Sequence, residues 1–173
     1  SGKQIPLFFI SLGLLIVLPA LSFLIGGVSL DFEIPVLKKL SLTSYTYEGG
    51  IPDSTEGQGI AHVIVKDGVT SIDSFAFYEW MDLISVHIPS SVTSIGREAF
   101  YGCSSLIFIN LPESLQKISH RAFWGCTNLS EINLPNSLTS IGRAAFCDWS
   151  SLFSITIPSS IIRIEAETFN SCL

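Results

Sequence analysis

Along the last two-thirds of the chain the apolar positions recur in fixed columns. Pro89, Pro112, Pro135 and Pro158 stand 23 residues apart. Phe77, Phe100, Phe123, Phe146 and Phe169 keep the same interval, as do Ile72, Ile95, Ile118, Ile141 and Ile164. Val69, Val92, Leu115, Leu138 and Ile161 form a further column, and Leu83, Leu106, Leu129 and Leu152 another. Each interval also holds an alternating pair: Val86/Ile88, Ile109/Leu111, Ile132/Leu134 and Ile155/Ile157. So many columns in register exclude coincidence. A period of roughly 20–50 residues marks a solenoid or an array of repeats.

One interval predicts one coil. In Leu129-x-x-Ile132-x-Leu134 the apolar residues two apart predict a short strand with one buried face. Pro135 has no N–H to donate and ends that strand. The Ser- and Asn-bearing stretch 136–142 is expected to turn the chain, with Leu138 and Ile141 pointing back inward. Ala145 permits close approach and Phe146 fills the wide part of the coil. A lone coil would leave its apolar edges open, whereas stacked coils bury a continuous core. The pattern extends upstream to Ile60, Val63 and Val65, with Lys66 where proline is expected, so the first coil is atypical. The last copy reaches Phe169–Leu173 without a polar cap. The natural protein is therefore expected to continue, or this end to fray.

The first 30 residues obey a different rule. No charge occurs from Ile5 to Leu30, a run longer than the ~20 apolar residues that span a bilayer as a helix. Residues 1–30 read as a transmembrane anchor, with a cleaved signal segment as the alternative and a buried helix as the third reading. Pro19 would kink such a span, which membrane helices tolerate. Residues 31–59, rich in Ser, Thr and Gly, read as a linker, and residues 60–173 as the solenoid.

Composition narrows the function classes. The chain is 47 % hydrophobic and 14 % charged, with net charge −6. A lightly charged, acidic chain lacks the basic footprint that nucleic-acid binding requires. The four cysteines, Cys103, Cys126, Cys147 and Cys172, show no C-x-x-C or H-x-x-x-H spacing of a zinc site. Cys103, Cys126 and Cys172 share a column and face inward. Neighbouring coils about 5 Å apart would permit either a ladder of thiols or a disulfide. Cys147 falls off that column and is expected to be more exposed.

The consensus L-x-x-I-x-[IL]-P-x-S-[VL]-T-S-I-G-x-x-A-F-x-x-C, clearest over Leu83–Cys103 and Leu129–Trp149, resembles the BspA-type leucine-rich repeat. Trp80 and Trp149 replace the cysteine, and Asp73 and Ser119 the glycine. The resemblance implies a right-handed leucine-rich repeat solenoid with short parallel strands on one face. It also implies cell-surface or secreted proteins that bind proteins and mediate adhesion, with no cofactor and no catalytic residue to carry over.

Candidate contact residues lie on the strand face. Ile84, Ile107 and Phe153 share a column, with Phe108 beside it. His87, Asn110, Asn133 and Thr156 form a polar row. Contiguous exposed apolar residues mark interaction sites, so these eight positions form the candidate surface for a protein or extended ligand. Edge packing and a solvated face are the plainer readings. Tyr78, Tyr101 and Trp124 form a second outward column that either anchors a partner or covers the turns. Arg97, His120 and Arg143 form a weakly basic row, with Glu98 beside Arg121 as a cross-coil pair. One glycosylation sequon, Asn128-Leu129-Ser130, straddles a core leucine. The chain is expected to be a non-enzymatic binding module held at the cell surface. The alternative is a structural spacer presenting a further C-terminal domain.

Overall fold

Two ladders of short parallel strands form the frame of the molecule. The computed structural model describes residues 23–25, 28–30, 44–53 and 55–172. The strands in chain order are β1 (Phe23–Ile25), β2 (Val28–Leu30), β3 (Ser44–Tyr47), β4 (His62–Val65) and β5 (Ser71–Ile72). They continue with β6 (Ser85–His87), β7 (Ser94–Ile95), β8 (Phe108–Asn110), β9 (Lys117–Ile118) and β10 (Ser140–Ile141).

The first ladder runs β3-β4-β6-β8 and the second β5-β7-β9-β10, all pairs parallel. In the first, Val63 faces Val86 and Val86 faces Ile109. In the second, Ile72 faces Ile95, Ile95 faces Ile118, and Ile118 faces Ile141. The 23-residue columns are thus the strand register itself. The second ladder runs through the Thr-Ser-Ile stretch that the sequence reads as a turn. Its strands are two residues long, too short for alternation to declare them.

A third set of inter-coil bonds joins the segments around the phenylalanines. Phe77, Phe100 and Phe123 donate their N–H to the carbonyls of Ala99, Ala122 and Ala145 at 2.8, 2.8 and 2.9 Å. The residue two before and the residue two after each phenylalanine do the same, as in Phe75 to Arg97 and Glu79 to Tyr101. Both flanking positions have positive φ: Phe75, Glu98, Arg121, Ala144 and Glu167 on one side, Glu79, Gly102, Gly125, Asp148 and Ser171 on the other. These left-handed residues let a non-extended segment aim three donors at the following coil.

Inside, the phenylalanines stack. Ring centroids from Phe77 to Phe100 to Phe123 to Phe146 to Phe169 are 5.1, 5.1, 5.9 and 5.7 Å apart. Tyr47 meets Phe77 edge-on at 5.0 Å and closes the row at its N-terminal end. The polar consensus residues also face neighbouring coils. Ser91, Ser114 and Ser137 donate their hydroxyls to the carbonyls of Val69, Val92 and Leu115 at 2.7, 2.7 and 2.6 Å. Cys103, Cys126 and Cys172 donate Sγ–H to Phe77, Phe100 and Phe146, and Trp149 offers Nε1 to Phe123 at 2.6 Å. All four cysteines are free thiols, so the inward column is a thiol ladder.

Several expectations need revision. Of the segment read as a membrane helix, the described residues β1 and β2 pair antiparallel, Ile25 facing Val28. The rest of that segment, residues 1–22, 26 and 27, lies outside the described residues. No described helix is long and apolar enough to cross a membrane. Strand β3 lies within the stretch read as a linker and pairs with β4 in full. Cys147 is buried at 1 % exposure, because it follows Phe146 into the closed segment between two left-handed residues. Residues 131–134 carry the strand pattern, and Ile132 is buried, yet they join no ladder. Their backbone stands off residues 154–156, leaving a cavity of about 270 Å³.

Candidate functional site

The outward side chains of the first ladder form the surface that the sequence marks out. Register places Ser44, His62, Ser85 and Phe108 in one outward row, and Thr46, Ile64, His87 and Asn110 in another. Between the rows, Tyr45, Val63, Val86 and Ile109 point into the core, so the strands hold both rows fixed. Just before the strands, the Ile84 carbonyl accepts the N–H groups of Ile107 and Phe108 at 3.0 and 3.3 Å. Ile84, Ile107 and Phe108 therefore adjoin, with exposures of 37, 56 and 62 %. His87 and Asn110, both exposed, border them.

The remaining candidates stand apart. Asn133 and Thr156 line the cavity where the ladder is interrupted. Phe153 is 94 % exposed, and its N–H bonds to Ser130, which occupies the same column between it and Ile107. Polar Ser130 thus divides Phe153 from the apolar cluster. Ile64, exposed to 41 % in the His87 row, belongs to the face and was missed. Its signal was its place one interval before His87.

The electrostatics of this face are mild. His62 Nδ1 lies 2.8 Å from Ser85 Oγ, one polar crosslink within the outward row. Among the described residues no group of His, Cys, Asp and Glu is arranged to hold a metal ion. Burial raises the pKa of the Cys103 and Cys126 thiols well above the ordinary value, which keeps them neutral and unreactive.

Outside the ladders, Tyr78 and Tyr101 stack at 4.9 Å and 6°, and Tyr101 and Trp124 at 6.0 Å. The Arg121 guanidinium lies 4.7 Å over Trp124, and Glu98 approaches Arg97 and Arg121 at 3.1 and 3.9 Å. The outward aromatic column and the cross-coil ion pair are both present.

A frame built from 23-residue coils, a phenylalanine stack and an inward thiol column agrees with a match over residues 56–173 to the model of the BspA type leucine rich repeat region, in six copies. The chain belongs to the BspA-type leucine-rich repeat family. Among solved structures it is similar to the T. pallidum leucine rich repeat protein, 38 % identical, covering 65 % of this chain and 55 % of that one, with TM-score 0.63. It is also similar to a leucine-rich repeat protein from Bacteroides ovatus, 28 % identical, covering 77 % and 38 % of the two chains, with TM-score 0.67. A leucine rich cell surface protein from Faecalibacterium prausnitzii is 28 % identical, covering 74 % and 39 %, with TM-score 0.63. The alignments thus span about two-fifths to one-half of these relatives' lengths. No curated protein matches the sequence. As a BspA-type repeat, the chain has an architecture of the kind used for protein interaction: one extended face carried on stacked, packed coils.

Proposed function

We propose that this chain is a non-catalytic protein-binding module, displayed at a cell surface or secreted, that engages its partner through the outward face of the first ladder. The observation that carries the proposal is the adjoining trio Ile84, Ile107 and Phe108, left exposed on a sheet whose other side is fully packed. Three large apolar side chains, Phe108 on β8 with Ile84 and Ile107 just before β6 and β8, present a dehydratable centre, and His87, Asn110 and Ile64 extend it. Contacts of this kind carry most of the binding energy in protein interfaces. The surface location is supported by the F. prausnitzii relative described as a cell surface protein.

Binding of the intact chain to a panel of extracellular proteins and to whole cells tests this reading. Phe108→Ala combined with His87→Ala is expected to reduce binding at least tenfold, as hot-spot residues do (about 1.4 kcal/mol or more), with an unchanged melting temperature. If the solenoid is a spacer, the substitutions are silent and only the number of coils matters.

A further inference from the structure

The aromatic stack outside the ladders ends in an open ring. Tyr101 covers one face of Tyr78, but the column does not continue into the preceding coil, where Thr55 stands at the corresponding position. On that side lies a cavity of about 360 Å³ walled by Tyr78, Glu79, Trp80, Met81, Asp82 and the Gly57–Gln58 segment. Trp80 is 5 % exposed, whereas Tyr78 and Met81 are 39 and 58 % exposed at the mouth. A Cβ on Gly57 would come within 2.4 Å of the Trp80 indole, so bare backbone packs against that ring. Asp82 Oδ2 accepts the N–H of Gly59 at 3.0 Å, which fixes its carboxylate. Two carboxylates and two aromatic rings line the space, and among the described residues no Lys, Arg or His does.

The same protein shows twice what such a combination holds. Arg121 lies 4.7 Å over Trp124, and Arg97 lies 5.9 Å over Phe75. Both guanidinium groups share the Glu98 carboxylate. Each unit is a ring, a planar cation and a carboxylate. At Tyr78 the ring and the carboxylates are present, and none of the described residues supplies a cation. We infer that this cavity receives an arginine side chain presented by a partner protein. Arginine is favoured over lysine because a planar guanidinium stacks on a ring while its edge bonds carboxylates. The net charge of −6 draws basic partners toward the molecule. The site is separate from the strand face and does not depend on the function proposed for it.

The test is a titration of the intact chain with the pentapeptide Gly-Gly-Arg-Gly-Gly and its citrulline counterpart, read by NMR on the Tyr78 ring and the Trp80 indole. Citrulline keeps the shape and removes the charge. Shifts of both rings with the arginine peptide are expected, with binding about tenfold weaker for citrulline, and about tenfold weaker in Tyr78→Ala and in Glu79→Gly. Glu79→Gly places glycine at a positive φ, so that variant retains the fold if Tyr78→Ala does not. Phe108→Ala is expected to leave the titration unchanged. Equal affinity for citrulline, unchanged affinity in folded Glu79→Gly, or no ring shifts at tens of millimolar peptide would each overturn the assignment.

Discussion

At the residue scale, two positions per coil decide the backbone. The column Glu79, Gly102, Gly125, Asp148 and Ser171 is left-handed throughout, yet only two of its members are glycine. A side chain in that conformation costs about 1 kcal/mol. Gly125→Ala is therefore expected to lose about 1 kcal/mol, although a Cβ there meets nothing closer than 3.6 Å. Asp148→Gly is expected to gain up to about 1 kcal/mol, less because Asp tolerates this region better than most residues. Denaturant melts of the two variants would read opposite shifts. Titration acts on residues too. Burial raises the Cys103 and Cys126 thiols, while unfolded thiols ionise near ~8.5. A raised folded pKa contributes stability that is complete below the unfolded value and lost as pH climbs toward the folded one. Stability should thus decline from about pH 8.5. Tyr47, raised to about 12 chiefly by burial, adds a second decline that begins near ~10. Replacing Cys103 and Cys126 by serine keeps a donor for each carbonyl and should flatten the first decline. A pH series of unfolding midpoints that is identical in the serine variant would refute this.

At the element scale, the unit is the coil, not the strand. The two-residue strands of the second ladder could not persist alone. They hold because Ile72, Ile95, Ile118 and Ile141 stack beneath them and the phenylalanine segments bond across on a third side. Phe123 lies between Phe100 and Phe146 and also meets Trp149 edge-on. Phe123→Ala removes ring contacts on three sides. It is expected to cost about 3–5 kcal/mol, where Phe169→Ala, at a half-buried ring with one stacking neighbour, should cost much less. Thermal melts of the pair would test this gradient. The same dependence explains residues 131–134. They carry the strand pattern, but their neighbours Ile155 and Leu152 are only partly buried, and the ladder lapses where the packing behind it thins.

At the scale of the whole molecule, each coil touches only its neighbours, so the solenoid behaves as a one-dimensional stack. Removing one full interval, residues 98–120, joins segments that are already in register. The shortened chain is expected to keep its parallel β signature and a cooperative melt, at a lower melting temperature. Removing residues 98–109 puts every later column out of phase. That chain should lose cooperative unfolding. Equal behaviour of the two deletions in circular dichroism would contradict a stack built on the 23-residue register. The N-terminal end of the stack is closed by Tyr47. Its hydroxyl donates to Asp73, and Asp73 in turn accepts the Gly50 N–H. Asp73 thus does its work in the column where Gly96 and Gly142 stand.

The period, the inward columns and the stacking order were legible from the chain alone, because a 23-residue interval repeated in many columns leaves one way to bury them all. Tertiary structure decided what local pattern could not encode. The Thr-Ser-Ile stretches are strands only because a neighbouring coil offers them partners. The consensus serine and cysteine are donors to carbonyls one coil away, and Cys147 is buried by a left-handed turn whose sign no side chain announces. Strand β3 has none of the repeat consensus and joins through backbone bonds, which carry no sequence. The candidate face divides for the same reason. The columns placed Ile84, Ile107, Phe108 and Phe153 on one side, but only the packed coils determined which of them adjoin.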